Sequence, residues 1–388
     1  MSDRLSPTTE PAASEPDLLQ AVSMFFPAVA TIEALPGRDA IVRVRADSRW
    51  WKVRRWPEGI PRLRLELIHR VLAQVAASDP ALAPVVARLA NDETILFHQG
   101  RLYDAQSWLP GSPAGGGPEA RLQSGRWVAM PAVVPDPVFH EVLRTVAGVH
   151  AATAPLVERD DTADRPPLAD LIAAVTDAWT AQRGMLRPIA TQTPAVRRWL
   201  AMGERALPAA ETAIGASALG TNEQAINHFG LWPAHALIAD ESDPGGAAGL
   251  IGWEHCNAGS PLIDIVQAVS RFRGWTAAAA ETAIAAYSEV QPLRPEDRRL
   301  LPAVAALDLV ATSGQMLIFA YGGRSGGERP PAILREAARS LLDSLDVATN
   351  ALIAMDRPKR PAYDRGRRPG GPRRTTPKRK PRGPKKRR

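Results

Sequence analysis

Residues 40–56, AIVRVRADSRWWKVRRW, alternate apolar Ile41, Val44, Trp51 and Val53 with charged neighbours, and the triplet ADS divides the run at its centre. Period-two alternation interrupted by turn-forming residues predicts a β-hairpin. The next stretch, PRLRLELIHRVLAQVA, opens on a proline and repeats Leu63, Leu67, Val71 and Val75 about every four positions, the spacing of an amphipathic helix. ETILFHQG and RLYDAQSWL then alternate again and meet at Gln99-Gly100, a second hairpin signal. Together these segments describe a small sheet with one helix over roughly the first 110 residues.

The Gly/Pro/Ser-rich stretch PGSPAGGGPEARLQSG, residues 110–125, breaks the pattern. Beyond it the period becomes helical, as in PVFHEVLRTVAGVHAA, LADLIAAVTDAWTAQRG, WTAAAAETAIAAYSEV and ILREAARSLLDSLDVATNALIAM. The exception is 226–254, where HALIAD and AGLIGWE flank ESDPGG and predict a β-hairpin inside the helical region. The apolar stretch Ala303 to Tyr321 carries Asp308 and the polar run Thr312, Ser313, Gly314 and Gln315, so it reads as a buried helix rather than a transmembrane segment.

Composition narrows the class. With 388 residues and 45% hydrophobic content, the chain is long enough for about two domains. Its single cysteine, Cys256, excludes an intramolecular disulfide framework and a cysteine-based zinc cluster, in keeping with a cytoplasmic protein. The polar start, MSDRLSPTTEPAASEPD, lacks the positive flank of a secretory signal and reads, through residue 22, as a disordered leader. The formal net charge of +7 conceals two opposed parts. Residues 357–388 hold 11 Arg and 5 Lys against the single acid Asp364, a balance of +15, which leaves −8 on the remainder. Rich in Pro, Gly, Arg and Lys, this tail cannot form a core and is expected to be disordered. It is expected to bind polyanions such as nucleic acid or an anionic lipid surface through counterion release, with a contact to the acidic body, or a purely solubilising role, as the alternatives.

Several short stretches carry a further resemblance. WKVRRW is similar to a family pattern in which a basic residue at the end of a strand pair faces nucleotide phosphates, SWLPGSP to a hinge, LRTVAGVHAA to a helix bearing a structural histidine, and GSPLIDIVQAV to a segment that braces a catalytic loop. In this order they resemble the aminoglycoside phosphotransferase and choline kinase family. The resemblance implies an α+β, protein-kinase-like bilobal fold, with a small β-sheet N-lobe carrying one helix and a larger, mostly helical C-lobe. The divisions are then 1–22 leader, 23–109 N-lobe, 110–125 hinge and connector, 126–356 C-lobe with the catalytic-loop hairpin at 226–254, and 357–388 basic tail. It also implies ATP with magnesium in the interlobe cleft. Arg54, with Lys52 as the alternative, would face the phosphates, Glu66 would hold that basic residue, and backbone groups of Ser107, Trp108 and Leu109 would meet the adenine edge. Gly37 is the one glycine available to a phosphate-covering loop, or it is simply a turn residue.

The catalytic motif itself is altered. The family pattern H-G-D-x-x-x-x-N, followed after the hairpin by I-D-W-E, aligns without gaps with HFGLWPAHALI and LIGWEH, so that His228 keeps its place. Gly230 then stands where the resemblance puts the base, His235 where it puts the asparagine, and Gly252 where it puts the metal-binding aspartate. No Asp or Glu occurs in 224–239. Phosphoryl transfer depends on positioning and on metal neutralisation of the phosphates, and glycine supplies neither base nor ligand. Asp264, the bracing acid, is retained. A preserved frame without its reacting groups implies a pseudokinase acting as a binding or scaffold module. The alternative is an active ATP-dependent kinase of a small hydroxylated metabolite using a displaced acid, Glu254 being the candidate magnesium ligand. His235, His255 and Cys256 are a further candidate set for a soft metal. Ligand identity and oligomeric state are not legible.

Overall fold

Asp47 and Ser48 adopt left-handed φ values of 49° and 62°, the conformation of a two-residue turn whose twist matches the strands it joins. They connect strands Ile41–Ala46 and Arg49–Arg55 within a five-stranded antiparallel sheet. The computed structural model describes residues 16–114, 119–122, 127–157, 167–217, 224–238, 248–322 and 331–355. The basic tail lies outside these residues, as does the first part of the expected leader. In chain order the N-terminal lobe contains α1 (Pro16–Phe25), β1 (Thr31–Ala34), β2 (Ile41–Ala46), β3 (Arg49–Arg55), α2 (Arg62–Ser78), β4 (Leu96–His98) and β5 (Arg101–Ser107), with sheet order β1-β2-β3-β5-β4.

Side chains alternate across a strand, and the two faces of this sheet have different fates. Val42, Val44, Ala46, Val53 and Ala105 point outward and are buried beneath α1. Helix α1 presents Leu18, Ala21, Val22 and Phe25, an i, i+3, i+4, i+7 stripe, to that face. The leader expected through residue 22 therefore gives way to a packed helix at Pro16. The opposite face carries Arg43, Lys52, Arg54, Asp104 and Gln106 and looks into the protein. Helix α2 packs there through Leu65, Ile68, Leu72 and Val75. Leu63, counted on the apolar stripe in the sequence, is 77% exposed; the buried stripe runs instead through Leu65, Ile68, Leu72 and Val75.

The connector expected at 110–125 is partly strand. Ser112–Pro113, β6, pairs with Leu237 and Ile238 of the C-terminal lobe. A small hairpin of β7 (Glu119–Arg121) and β8 (Trp127–Ala129) follows. The larger lobe is built from α3 (Asp136–Val157), α4 (Pro167–Leu186), α5 (Pro194–Ser217), α6 (Leu262–Phe272), α7 (Ala277–Ser288), α8 (Pro295–Tyr321) and α9 (Ala332–Met355). Between α5 and α6 lie β9 (Ala225–Asn227), β10 (Ala236–Ile238), β11 (Ala248–Leu250) and β12 (Asn257–Gly259), paired β10 with β11 and β9 with β12. The predicted internal hairpin is thus present, its tip at 239–247 lying outside the described residues. Among the described residues α8 is the one helix long and apolar enough to cross a membrane, and 67% of its most apolar window is buried inside the protein, as in a core helix. Trp199 of α5 donates its indole N–H to the Val310 carbonyl of α8 at 2.9 Å, which ties the two helices together.

Candidate functional site: the interlobe cleft

Arg54 stands on the inner face of β3, where the β3–β5 register sets it directly across from Asp104. Its guanidinium donates to both Asp104 oxygens at 3.4 Å and to the Glu254 carboxylate, and lies 3.5 Å from the centre of the Trp56 ring. His69 of α2 approaches Asp104 at 3.2 Å and Gln106 donates to it at 2.8 Å. Burial opposes ionisation of Asp104, but Arg54, His69 and Lys52 outweigh it and hold the carboxyl below the usual range. Burial likewise disfavours the Arg54 cation, and Asp104 and Glu254 more than compensate. Because Glu254 belongs to the large lobe, Arg54 joins the two lobes. Arg64 of α2 reinforces the joint by donating to the Glu254 carbonyl at 2.8 Å.

Glu66, expected to hold Arg54, instead pairs with Arg62 at 3.0 Å on the exposed side of α2. A residue three positions further along the same helix, His69, takes up the inward place, because the helix is rotated from the stripe read in the sequence. Asp104 was missed, although a lone acid inside the alternating run RLYDAQS at an inward position is a signal of a buried ion pair. Glu254, a third exposed, is not available as a metal ligand while it holds Arg54. Burial raises its pKa, but Arg54 and Lys52 outweigh burial and bring it down to about 2.

The loop between β9 and β10 is held by one face of α6. Asp264, Gln267 and Arg271 are spaced i, i+3, i+7 along that helix, and all three are buried. Asp264 accepts from the main-chain N–H groups of His228 at 2.6 Å and Phe229 at 3.1 Å, and His150 lies 3.2 Å from it. Gln267 accepts from the Leu231 N–H at 3.1 Å, and Arg271 donates to the Leu231 carbonyl at 3.1 Å and to Asp308 of α8. Asp264 thus ties His150 of α3 and α6 to the loop between β9 and β10. His228 Nε2 donates to the Ile251 carbonyl at 2.9 Å while its Nδ1 accepts from the Gly230 N–H at 3.3 Å, which requires a neutral ring. Burial pushes this histidine down to about 4.

Gly230 and Gly252 close on one another across this loop. His235 donates from Nδ1 to the Gly230 carbonyl at 2.5 Å, and a Cβ placed on Gly252 would meet the His235 ring at 3.1 Å. Gly252 is also left-handed, with φ 85°. The imidazole thus occupies the space that a side chain at 252 would need. A hard cation takes oxygen ligands, and none of these three side chains offers one, so the positions do not fit magnesium. Nor do the soft-metal candidates converge: His255 is exposed, Cys256 is buried with its thiol pushed up to about 12 by burial, and among the described residues no group of three His, Cys, Asp or Glu could hold a metal ion.

The hinge and glycine turn are also committed internally. The Ser107 N–H donates to the Val85 carbonyl at 2.7 Å and the Trp108 N–H to the Trp50 carbonyl at 2.8 Å, so two of the three main-chain donors expected at an adenine edge are spent. Leu109 is buried, its side chain lying where a Cβ on Gly249 of β11 would come within 2.9 Å. Gly37, at φ 70°, makes a turn between β1 and β2 whose carbonyl accepts from the Trp127 indole at 3.2 Å. Beside it, Arg38 pairs with Glu119 and lies 5.4 Å from the Trp127 ring centre, pinning the turn to the β7–β8 hairpin.

A small sheet lobe with one inward helix, a hinge, and a helical lobe whose loop is braced from beneath define a protein of the protein-kinase-like fold. The chain belongs to the phosphotransferase enzyme family, whose sequence profile matches residues 31–303. Solved structures share the fold. An aminoglycoside phosphotransferase from Alicyclobacillus acidocaldarius superposes with a TM-score of 0.60 at 14% identity, over 91% of this chain and 97% of that one. A microcompartment-associated aminopropanol kinase does so at 0.55 and 14%, over 86% and 96%. Spectinomycin phosphotransferase in its AMP-bound complex does so at 0.51 and 9%, over 87% and 98%. No curated protein sequence matches the chain.

Proposed function

We propose that this chain is a catalytically silent member of the phosphotransferase family, a pseudokinase whose closed cleft makes it a rigid binding module and whose basic tail attaches it to a polyanion. The observation that carries this reading is the pairing of two changes. The resemblance puts base and metal ligands at Gly230, His235 and Gly252, and the adjacent carboxylate, Glu254, is engaged with Arg54. In an ATP-dependent enzyme the metal and phosphates would draw the lobes together; here an ion pair between β3 and the loop after β11 does so without ligand. The tail charge of +15 supports the second half of the reading.

Calorimetric titration of ATP with and without magnesium tests it. The expected result is no magnesium-dependent binding and no ATP turnover. Tight magnesium-dependent binding accompanied by slow turnover would overturn the proposal in favour of a kinase that uses a displaced acid.

A further inference from the structure

Besides the hinge and the Arg54–Glu254 joint, the lobes meet at the β7–β8 hairpin, and strand register fixes where. Along β2, Ile41 stands opposite Arg54 and Arg45 opposite Trp50. The Trp50 carbonyl receives the hinge N–H of Trp108, whereas the Gly37 turn lies just before Ile41, whose N–H donates to the Arg38 carbonyl at 3.0 Å. Hinge and turn therefore stand at opposite ends of β2, roughly 13 Å apart. The hairpin reaches the turn from the large lobe. Its approach is β6, paired with Leu237 and Ile238 and packed against the Pro233–His235 turn. Its exit is tied to α6 by the Ala132 and Val134 N–H groups, which donate to the Arg271 and Phe272 carbonyls at 3.0 Å, and Ala120 and Met130 are buried in the main core. The far contact is lighter. It consists of the Trp127 indole N–H on the Gly37 carbonyl at 3.2 Å and the Arg38–Glu119 ion pair, each partner about a third exposed. Charges agree with this placement. Burial and Arg54 lower the Lys52 pKa and Arg38 adds to them, while His235, lowered by burial, is drawn back by the Gly230 carbonyl, Glu254 and Glu119. Arg38 thus lies near the inner face of the sheet, and Glu119 near the loop that faces it.

We propose that the β7–β8 hairpin is a clasp: rooted in the large lobe, it holds the Gly37 turn and shuts the end of the cleft opposite the hinge, so that solutes enter only when it lets go. This rests on the reading of the cleft as closed without ligand. The difference between its two ends makes it a switch rather than a wall. Its root is buried and bonded to α6, whereas a partly exposed ion pair and a guanidinium 5.4 Å from an indole centre are contacts of small worth in water. Release of the turn leaves the Arg54–Glu254 pair in place, because that pair belongs to β3 and the loop after β11.

Lys52 reports the clasp directly. It stands on the inner face of the sheet, and it is the one lysine of the chain outside residues 357–388, whose 5 lysines serve as internal standards. The full chain is treated with acetic anhydride, and acetylation of Lys52 relative to the tail lysines is measured by peptide mass spectrometry in the parent, Glu119→Gln and Trp127→Phe. Slow labelling is expected in the parent, and labelling about fivefold faster in either variant, the scale of a partly exposed ion pair. The charges that set the Lys52 pKa are those of Arg54, Glu254, Asp104 and Arg38, so a change at Glu119 reports access and not basicity. Glu289→Gln, which alters a surface pair with His140 on α3, should leave the rate as it is. Labelling of Lys52 at one rate in the parent and both variants would overturn the clasp, as would labelling in the parent as fast as that of the tail lysines. Equal acceleration by Glu289→Gln would overturn it too, since it would show a general loosening. Magnesium-dependent ATP binding by the parent is a separate result: it would overturn the reading of the cleft as catalytically silent, while the labelling still decides the clasp.

Discussion

Lys52 and Glu254 face each other across the cleft with opposite consequences for stability. Burial and the neighbouring Arg54 bring Lys52 down to about 8 from an ordinary 10.5, against the weaker pull of Glu254 and Asp104 and with Arg38 adding to the repulsion. Between those two values the unfolded chain holds a proton that the folded chain has released, so stability rises with pH across that window. Thermal unfolding of the parent should therefore gain on Lys52→Met as pH climbs from 8 toward 10. Glu254 behaves in the reverse sense. With a folded value of about 2 against 4.5, it contributes stability above the higher value and loses it as pH falls toward the lower. Glu254→Gln should flatten that acid limb and cost about 1–3 kcal/mol at pH 7 in denaturant titrations, less than a fully buried pair because Glu254 is a third exposed. At Gly252, a single Gly252→Asp change meets both a left-handed backbone and the His235 ring, and should cost about 1–3 kcal/mol. Adding His235→Asn should return part of that loss, measurable as a coupling energy in a double-mutant cycle.

At the scale of elements, α6 is an amphipathic helix with a polar edge that faces inward. Asp264 satisfies two loop N–H groups at once, and removing a buried acceptor leaves those donors unsatisfied. Asp264→Ala should cost about 3 kcal/mol and speed amide exchange at His228 and Phe229. The loop would lose the geometry that these two bonds hold. The other element that behaves unlike its sequence is α1. Its four buried side chains cover the outer face of the sheet, which would otherwise expose Val42, Val44 and Val53. Residues 16–25 are therefore part of the N-lobe, and polarity before Asp17 concealed them only because the apolar stripe is short.

At the scale of the whole molecule, charge is divided between a −8 body and a +15 tail. If the tail neutralises roughly eight phosphates of single-stranded RNA, log affinity should fall against log salt with a slope of about −6, from about −0.7 per contact. Deleting residues 357–388 should abolish that binding and leave the melting temperature nearly unchanged, since the segment lacks the apolar residues of a core. Binding of RNA and anionic vesicles that is identical with and without the tail would dispose of the tether.

Local pattern carried the elements and their order. The two hairpins at 41–55 and 96–107, the helix after Pro61 and the hairpin inside the helical lobe all follow from period-two or helical spacing bounded by turn residues. That residues 224–239 contain no Asp or Glu was equally legible, because it needs no partner to be read. What required the tertiary structure was partnership. Arg54 meets Asp104 fifty residues away and Glu254 two hundred residues away, whereas Glu66, the acid that spacing favoured, turns outward to Arg62. Strand register and helix rotation decide such pairings, and both are set by which apolar face finds a core, a long-range outcome that no window of sequence contains. The same holds for His235 filling the space beside Gly252. The residues were visible in the chain; only the fold determined what each one faces.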